Sequence, residues 1–143
     1  MKGIAMKKGN VGDLKKRIIE EMSVDYTSAL EKNFDLAKQF IRITKGGNID
    51  VQFREKLTGE QRLQLYLIGK LYAKEAGLAA TDDAGNKELM DELGIPEGSL
   101  LPWLKGLREK KKIRQFKRGR YTHHSISLNV VENVLKSIEK KLK

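Results

Sequence analysis

Residues 85–128 read GNKELMDELGIPEGSLLPWLKGLREKKKIRQFKRGRYTHHSISL, and the order of local signals along this stretch decides the fold. Gly85-Asn86-Lys87-Glu88 sets a glutamate three residues after a small N-cap candidate, where its carboxylate can reach free backbone N–H groups at a helix start. Leu89, Met90 and Leu93 give that helix an apolar side. Gly94, with Pro96 just beyond it, stops the helix at Leu93 or Gly94. Ser99 is the expected N-cap of the next helix, because Pro102 then falls in the first turn, where its missing N–H has no intrahelical partner to lose. At about 100° per residue, Leu100, Leu104 and Leu107 fall within roughly 60° of arc and form the buried stripe of a helix running to about residue 111. Segments 113–116 and 121–126 then read as strands around Lys117-Arg118-Gly119-Arg120, with Gly119 supplying the positive φ of a tight hairpin.

Charge is unevenly spread over the chain, whose formal net charge is +10. Residues 77–96 carry 1 Lys or Arg against 5 Asp or Glu, whereas residues 97–143 carry 13 against 4. Lys105, Arg108, Lys110, Lys111, Lys112, Arg114, Lys117, Arg118 and Arg120 crowd the helix of about 100–111 and the hairpin. Such a run can line a phosphate track, with counterion release supplying most of the affinity. An isolated charge run would more simply be a solvated face; its place on a helix and hairpin is what favours nucleic acid.

The stretch resembles the winged helix-turn-helix superfamily, with Glu88-Leu89 opening the second helix, Gly94-Ile95 at the turn, and Leu104, Leu107 and Ile113 at positions that pack the core. The resemblance covers residues 58–128 and implies a mainly α fold with small β-hairpins (α+β). In such proteins the helix of 100–111 enters the major groove of duplex DNA and the hairpin, or wing, lies on the backbone or minor groove. It implies a nucleic-acid-binding protein, duplex DNA favoured and RNA possible, with Ser99, Lys105, Arg108, Lys111, Lys112, Arg114, Lys117, Arg118 and Arg120 as contacts. Other members bind proteins, so a fold of this kind does not by itself fix the function.

Upstream, residues 1–57 are expected to form helices plus a β-hairpin, either an extension or a degenerate first winged helix, before the unit of 58–143. Val11, Leu14, Ile18 and Met22 recur at helical spacing, as do Tyr26, Leu30, Phe34, Ala37 and Ile41 after a break near Ser23. Residues 41–44 and 48–53 alternate around Lys45-Gly46-Gly47. A three-residue loop sets Ile41 opposite Val51, Arg42 opposite Asp50 and Ile43 opposite Ile49, a better pairing than a two-residue loop allows. Thr58-Gly59-Glu60-Gln61 is a capping box for a helix reaching Ala76, in which Leu63, Leu65, Tyr66, Leu67, Ile68, Leu71 and Tyr72 leave little polar surface. Asn129-Val130-Val131-Glu132 starts a last helix, and its stripe of Val131, Val134, Leu135, Ile138 and Leu142 offers either a homodimer seam or a surface that packs back on the chain.

Base reading is sparse. The arc opposite the leucines holds Pro102, Lys105, Gly106 and Glu109, so sequence readout would rest on Ser99, Lys105 and Arg108. Leu101 and Trp103 flank the stripe, and with Pro102 they form an apolar patch. They suggest the alternative of an adaptor that docks a protein or stacks an unpaired base, with a half-buried Trp103 as the simpler account of that side chain. His123 and His124, the only histidines, point to opposite faces of a strand and cannot share an ion; one is expected to pack and the other to be solvated. Asp82-Asp83 is expected at a helix start. With no nucleophile and base at a suggestive spacing and no glycine-rich phosphate loop, the chain is expected not to be an enzyme and to need no cofactor. There is no apolar run of about 18 residues. No apolar stretch follows the basic residues 1–8, and there are no cysteines, so a cytoplasmic protein without membrane contact is expected.

Overall fold

The computed structural model describes residues 12–22 and 26–143, an α+β arrangement with antiparallel sheets of two and three strands. Val11, Ser23, the side chain of Tyr26 and the basic residues 1–8 lie outside the described part. Helix α1 (12–17) continues as a π-helical turn, Ile18–Met22. Leu14, Ile18 and Met22 stand exposed on it, so its apolar stripe contributes nothing to the core. The second expected helix is two, α2 (Tyr26–Lys32) and α3 (Phe34–Ala37), divided at Asn33, whose Nδ2 donates to the Ala29 carbonyl at 2.9 Å. Ile41 belongs to the following strand.

Strands β1 (Ile41–Ile43) and β2 (Ile49–Val51) pair in the register that the three-residue loop requires: Ile41 with Val51, Arg42 with Asp50, Ile43 with Ile49. A 3-10 turn, Arg54–Lys56, leads to α4 (Gly59–Glu75). Its start is the expected reciprocal capping box, with Thr58 Oγ1 accepting from the Gln61 N–H at 3.2 Å and Gln61 Oε1 accepting from the Thr58 N–H at 3.0 Å. Leu63, Leu65, Tyr66, Leu67, Ile68 and Leu71 are all buried, because β1, β2, β5, α5, α6 and α7 surround the helix. Leu30, Ala37, Phe40, Ile41, Ile49 and Val51 from the first 57 residues share this core with the rest of the chain. Among the described residues no helix is long and apolar enough to cross a membrane.

After α4 come β3 (Ala84–Gly85), α5 (Asn86–Leu93), α6 (Glu97–Glu109), β4 (Ile113–Arg118), β5 (Tyr121–Ile126) and α7 (Val131–Leu142), with β5 between β3 and β4. Gly94 ends α5 at φ 64, the left-handed conformation that lets the chain turn without a Cβ clash. Leu100, Leu104 and Leu107 are buried as their spacing requires.

Several local expectations are corrected. Pro96, not Ser99, caps α6: its carbonyl accepts from the Ser99 and Leu100 N–H groups at 3.0 and 2.9 Å, which places Ser99 in the first turn and Pro102 in the second. The carbonyl of Gly98 therefore loses its i+4 donor, tolerable because Gly98 faces solvent. The helix ends at Glu109, two residues early, in a Schellman closure. Lys111 N–H bonds to the Arg108 carbonyl and Lys112 N–H to the Leu107 carbonyl, both at 2.9 Å, with Lys111 at φ 60. Lys117 and Arg118 belong to the strand, pairing with Thr122 and Tyr121, so the hairpin loop is only Gly119-Arg120. Glu88 does not cap α5; its Oε2 accepts from the Tyr66 hydroxyl at 2.5 Å and pairs with Lys70 Nζ at 3.1 Å. Burial, reinforced by this hydrogen bond to Glu88, drives the Tyr66 hydroxyl pKa far upward and keeps it protonated.

The homodimer seam is also overturned. Val131, Val134, Leu135 and Ile138 of α7 are buried inside the protomer against α4 and α3, and the helix is entered by a 3-10 turn, Leu128–Val130, with Val130 at the N-cap instead of Asn129. Lys32, the last residue of α2, pairs with Glu132 of α7 at 3.2 Å.

Candidate nucleic-acid interface

α6 turns Leu100, Leu104 and Leu107 inward and presents Gly98, Leu101, Pro102, Lys105 and Glu109 to solvent. Ser99 and Arg108 sit half-buried on its flanks. Trp103 is a packing residue. Its ring lies on Gly59 so closely that a Cβ there would fall 2.1 Å from Cζ3, which takes the indole out of any docking patch with Leu101 and Pro102. Leu101 remains 46% exposed.

The cations run from this helix into the hairpin. Lys105, Arg108, Lys111, Lys112, Arg114, Lys117 and Arg120 pair with no carboxylate among the described residues; Lys117 donates instead to Thr122 Oγ1 at 2.9 Å. Lys110 is held only loosely by Glu60, at 3.9 Å. Lys112 is half-buried and, with Lys110, lines a cleft of about 410 Å³ between α4, α6 and α7. The remaining six cations of this set form a free track in chain order, from α6 through the turn after it to the hairpin tip, with Arg114 and Lys117 on opposite faces of β4. Mutual repulsion among unpaired charges is a cost that a polyanion removes.

Arg118 is the exception within the expected contact set. Its Nε and Nη2 donate to Asp83 Oδ2 at 2.7 and 2.6 Å. Asp83 is a buried acceptor, not a helix-start residue. Thr81 Oγ1 donates to its other oxygen at 2.9 Å, and His123 Nδ1 lies 3.5 Å from that oxygen. Burial alone raises the Asp83 pKa, but the hydrogen bonds from Arg118 and Thr81 and the charge of Arg118 outweigh it and hold the carboxyl below its ordinary value. A guanidinium so engaged ties the hairpin to the strand before α5 and is not free for a phosphate.

His124 is buried, as one of the two was expected to be, and His123 is half-buried instead of fully solvated. His124 faces the core, and its Nε2 meets Asn86 Oδ1 at 2.6 Å. Burial first, then the charges of Arg108 and His123, push its pKa down to about 4, so the ring is neutral at pH 7 and Nε2–H is the donor to the amide oxygen. His123 lies on the opposite face over Gly85, with Phe116 6.4 Å away between ring centroids. Phe116 and Tyr121, absent from the expected contacts, share that outer face. Their strand alternation relative to Ile113 and Ile126 was the signal that could have singled them out. Comparison with family models, curated proteins and solved structures returned no match, so the chemistry of these side chains carries the functional argument alone.

Proposed function

We propose that the protein is a winged-helix nucleic-acid-binding protein that grips duplex DNA mainly through phosphates, with the exposed side of α6 and the β4–β5 hairpin as its binding surface. The order α4, β3, α5, α6, β4, β5, with β3 paired to β5, supports the winged-helix assignment. The observation that carries the function is the free track itself. Lys105, Arg108, Lys111, Arg114, Lys117 and Arg120 lie on consecutive elements with no carboxylate partner among the described residues, exposed Glu109 being the one acid within the run, while Arg118 is held by Asp83. Lys111 adds to this, because a lysine kept in a left-handed backbone conformation, where glycine costs less, points to a use for its side chain.

The reading is tested by anisotropy titration of labelled duplex DNA at several salt concentrations. Lys117→Ala with Arg120→Ala should flatten the slope of log K against log salt by about two units. Arg118→Ala should leave it nearly unchanged. No measurable affinity for duplex at low salt, with a protein partner captured through Leu101 and lost on Leu101→Ser, would replace this function by that of a protein-binding adaptor.

A further inference from the structure

Resting on the nucleic-acid function just proposed, we propose that the outer face of the β4–β5 hairpin is a stacking surface for unpaired nucleotides, so that a duplex flanked by a single-stranded segment is the preferred ligand over continuous duplex. The register sets Arg114 opposite Ser125, Phe116 opposite His123 and Arg118 opposite Tyr121, and strand alternation puts all six on one face. Phe116 is 37% exposed and Tyr121 67% exposed, large apolar rings left in water on the most basic part of the molecule. Between them lies a third flat group, since the Arg118 guanidinium carbon sits 5.5 Å from the Phe116 ring centroid. Asp83 fixes its orientation by two hydrogen bonds to one carboxylate oxygen. The face thus offers two aromatic rings and a guanidinium plane held in place, with Arg114 at its root and Arg120 at its tip free to meet phosphates.

The opposite face of the hairpin cannot do this. Toward the tip it presents Gln115, Lys117 and Thr122, with no ring. Base stacking on aromatic side chains and on arginine planes is indifferent to sequence, because every base has a π-face. It is closed to a base still paired inside a duplex. Reading of paired bases by α6 is poorly served, since its exposed arc lacks Asn, Gln and a central Arg, and its first turn carries Glu97, with exposed Asp91 and Glu92 on the helix before it.

The test uses the whole protein and four labelled probes of one sequence at fixed low salt: a blunt duplex, the same duplex with an unpaired tail, and the tail alone as DNA and as RNA. The tailed duplex should bind more tightly than the blunt one. Tyr121→Leu, a change at an exposed strand position that the fold tolerates, should reduce affinity for the tailed duplex and for the better-bound free tail by about tenfold while leaving the blunt duplex unaffected, the scale of one lost stacked base. Phe116→Leu should act in the same direction. Whichever free tail binds better names the polymer. Equal affinity for blunt and tailed duplex, or equal loss on all probes in Tyr121→Leu, overturns the stacking surface and leaves the phosphate-binding function standing. Failure of the wild-type protein to bind any of the four overturns both.

Discussion

Replacing Asp83 with Ala removes the one buried carboxylate that fastens the hairpin to the body of the protein, and the size of the effect can be worked from its contacts. The side chain is 2% exposed and accepts two hydrogen bonds from Arg118 and one from Thr81. Breaking a wholly buried ion pair costs about 3–5 kcal/mol, chiefly because a charge is stranded without solvent. Arg118 is 49% exposed and can rehydrate, so most of that penalty is absent. What remains is the loss of charge-assisted hydrogen bonds and a small cavity, about 2–3 kcal/mol. In a chain of this size that corresponds to a fall in Tm of about 6–10 °C by calorimetry or circular dichroism at pH 7. The pH dependence has a definite sign. Because the folded-state pKa lies below the unfolded value of about 3.9, the contribution is complete above that value and is lost as pH falls through the depressed one. The gap between wild type and Asp83→Ala should therefore be constant near neutrality and narrow under acid to the part that packing contributes. A difference below about 1 kcal/mol at pH 7, or one undiminished once the carboxyl is protonated, would refute the ion-pair account. Arg118→Ala should cost more, about 3–5 kcal/mol at pH 7, because it strands the buried Asp83 carboxylate, and adding Asp83→Ala should recover part of that loss.

Lys111→Gly should raise stability by about 1 kcal/mol in urea unfolding, relieving a left-handed lysine, while weakening duplex affinity and lowering the salt slope by about one unit. Leu135→Ala should cost about 2–5 kcal/mol without changing the mass seen by light scattering, since the side chain is buried within the protomer; dissociation of a dimer would contradict that burial. His124, held neutral with a pKa of about 4 against an ordinary 6.5, contributes stability in full above pH 6.5 and loses it as pH falls toward 4. Denaturant titrations across that window should show an additional loss of about 3 kcal/mol, absent in His124→Phe.

Where the deciding forces act between near neighbours, the sequence was a sufficient guide. The Thr58 and Gln61 capping box, the Lys45-Gly46-Gly47 loop with its register, and the stripe of Leu100, Leu104 and Leu107 all depend on contacts a few residues apart. Partners distant in the chain were not legible. Asp83 meets Arg118 35 positions on, and nothing local distinguishes that arginine from Arg120. The sequence suggests a capping role for Glu88 because the competing hydroxyl of Tyr66 comes from another helix. The stripe of α7 specified that something apolar covers it, not that α4 and α3 of the same protomer do so. At Lys111 the usual glycine signal for a helix end is missing, and the end was placed too late. For the candidate interface, the cations were visible from composition, whereas the division between free and engaged ones required their spatial neighbours.

Helix α4 has consequences for how the chain is made. Its apolar residues point in nearly every direction, and the surfaces that cover them are drawn from both sides of it in sequence: β1 and β2 are synthesised before it, α7 after it. No arrangement of the elements that have emerged by residue 130 can shield it fully, so the nascent protein carries an open greasy helix until Val134, Leu135 and Ile138 clear the ribosome. Products that stop short of Ile138 should therefore be cleaved faster by added protease than the full chain.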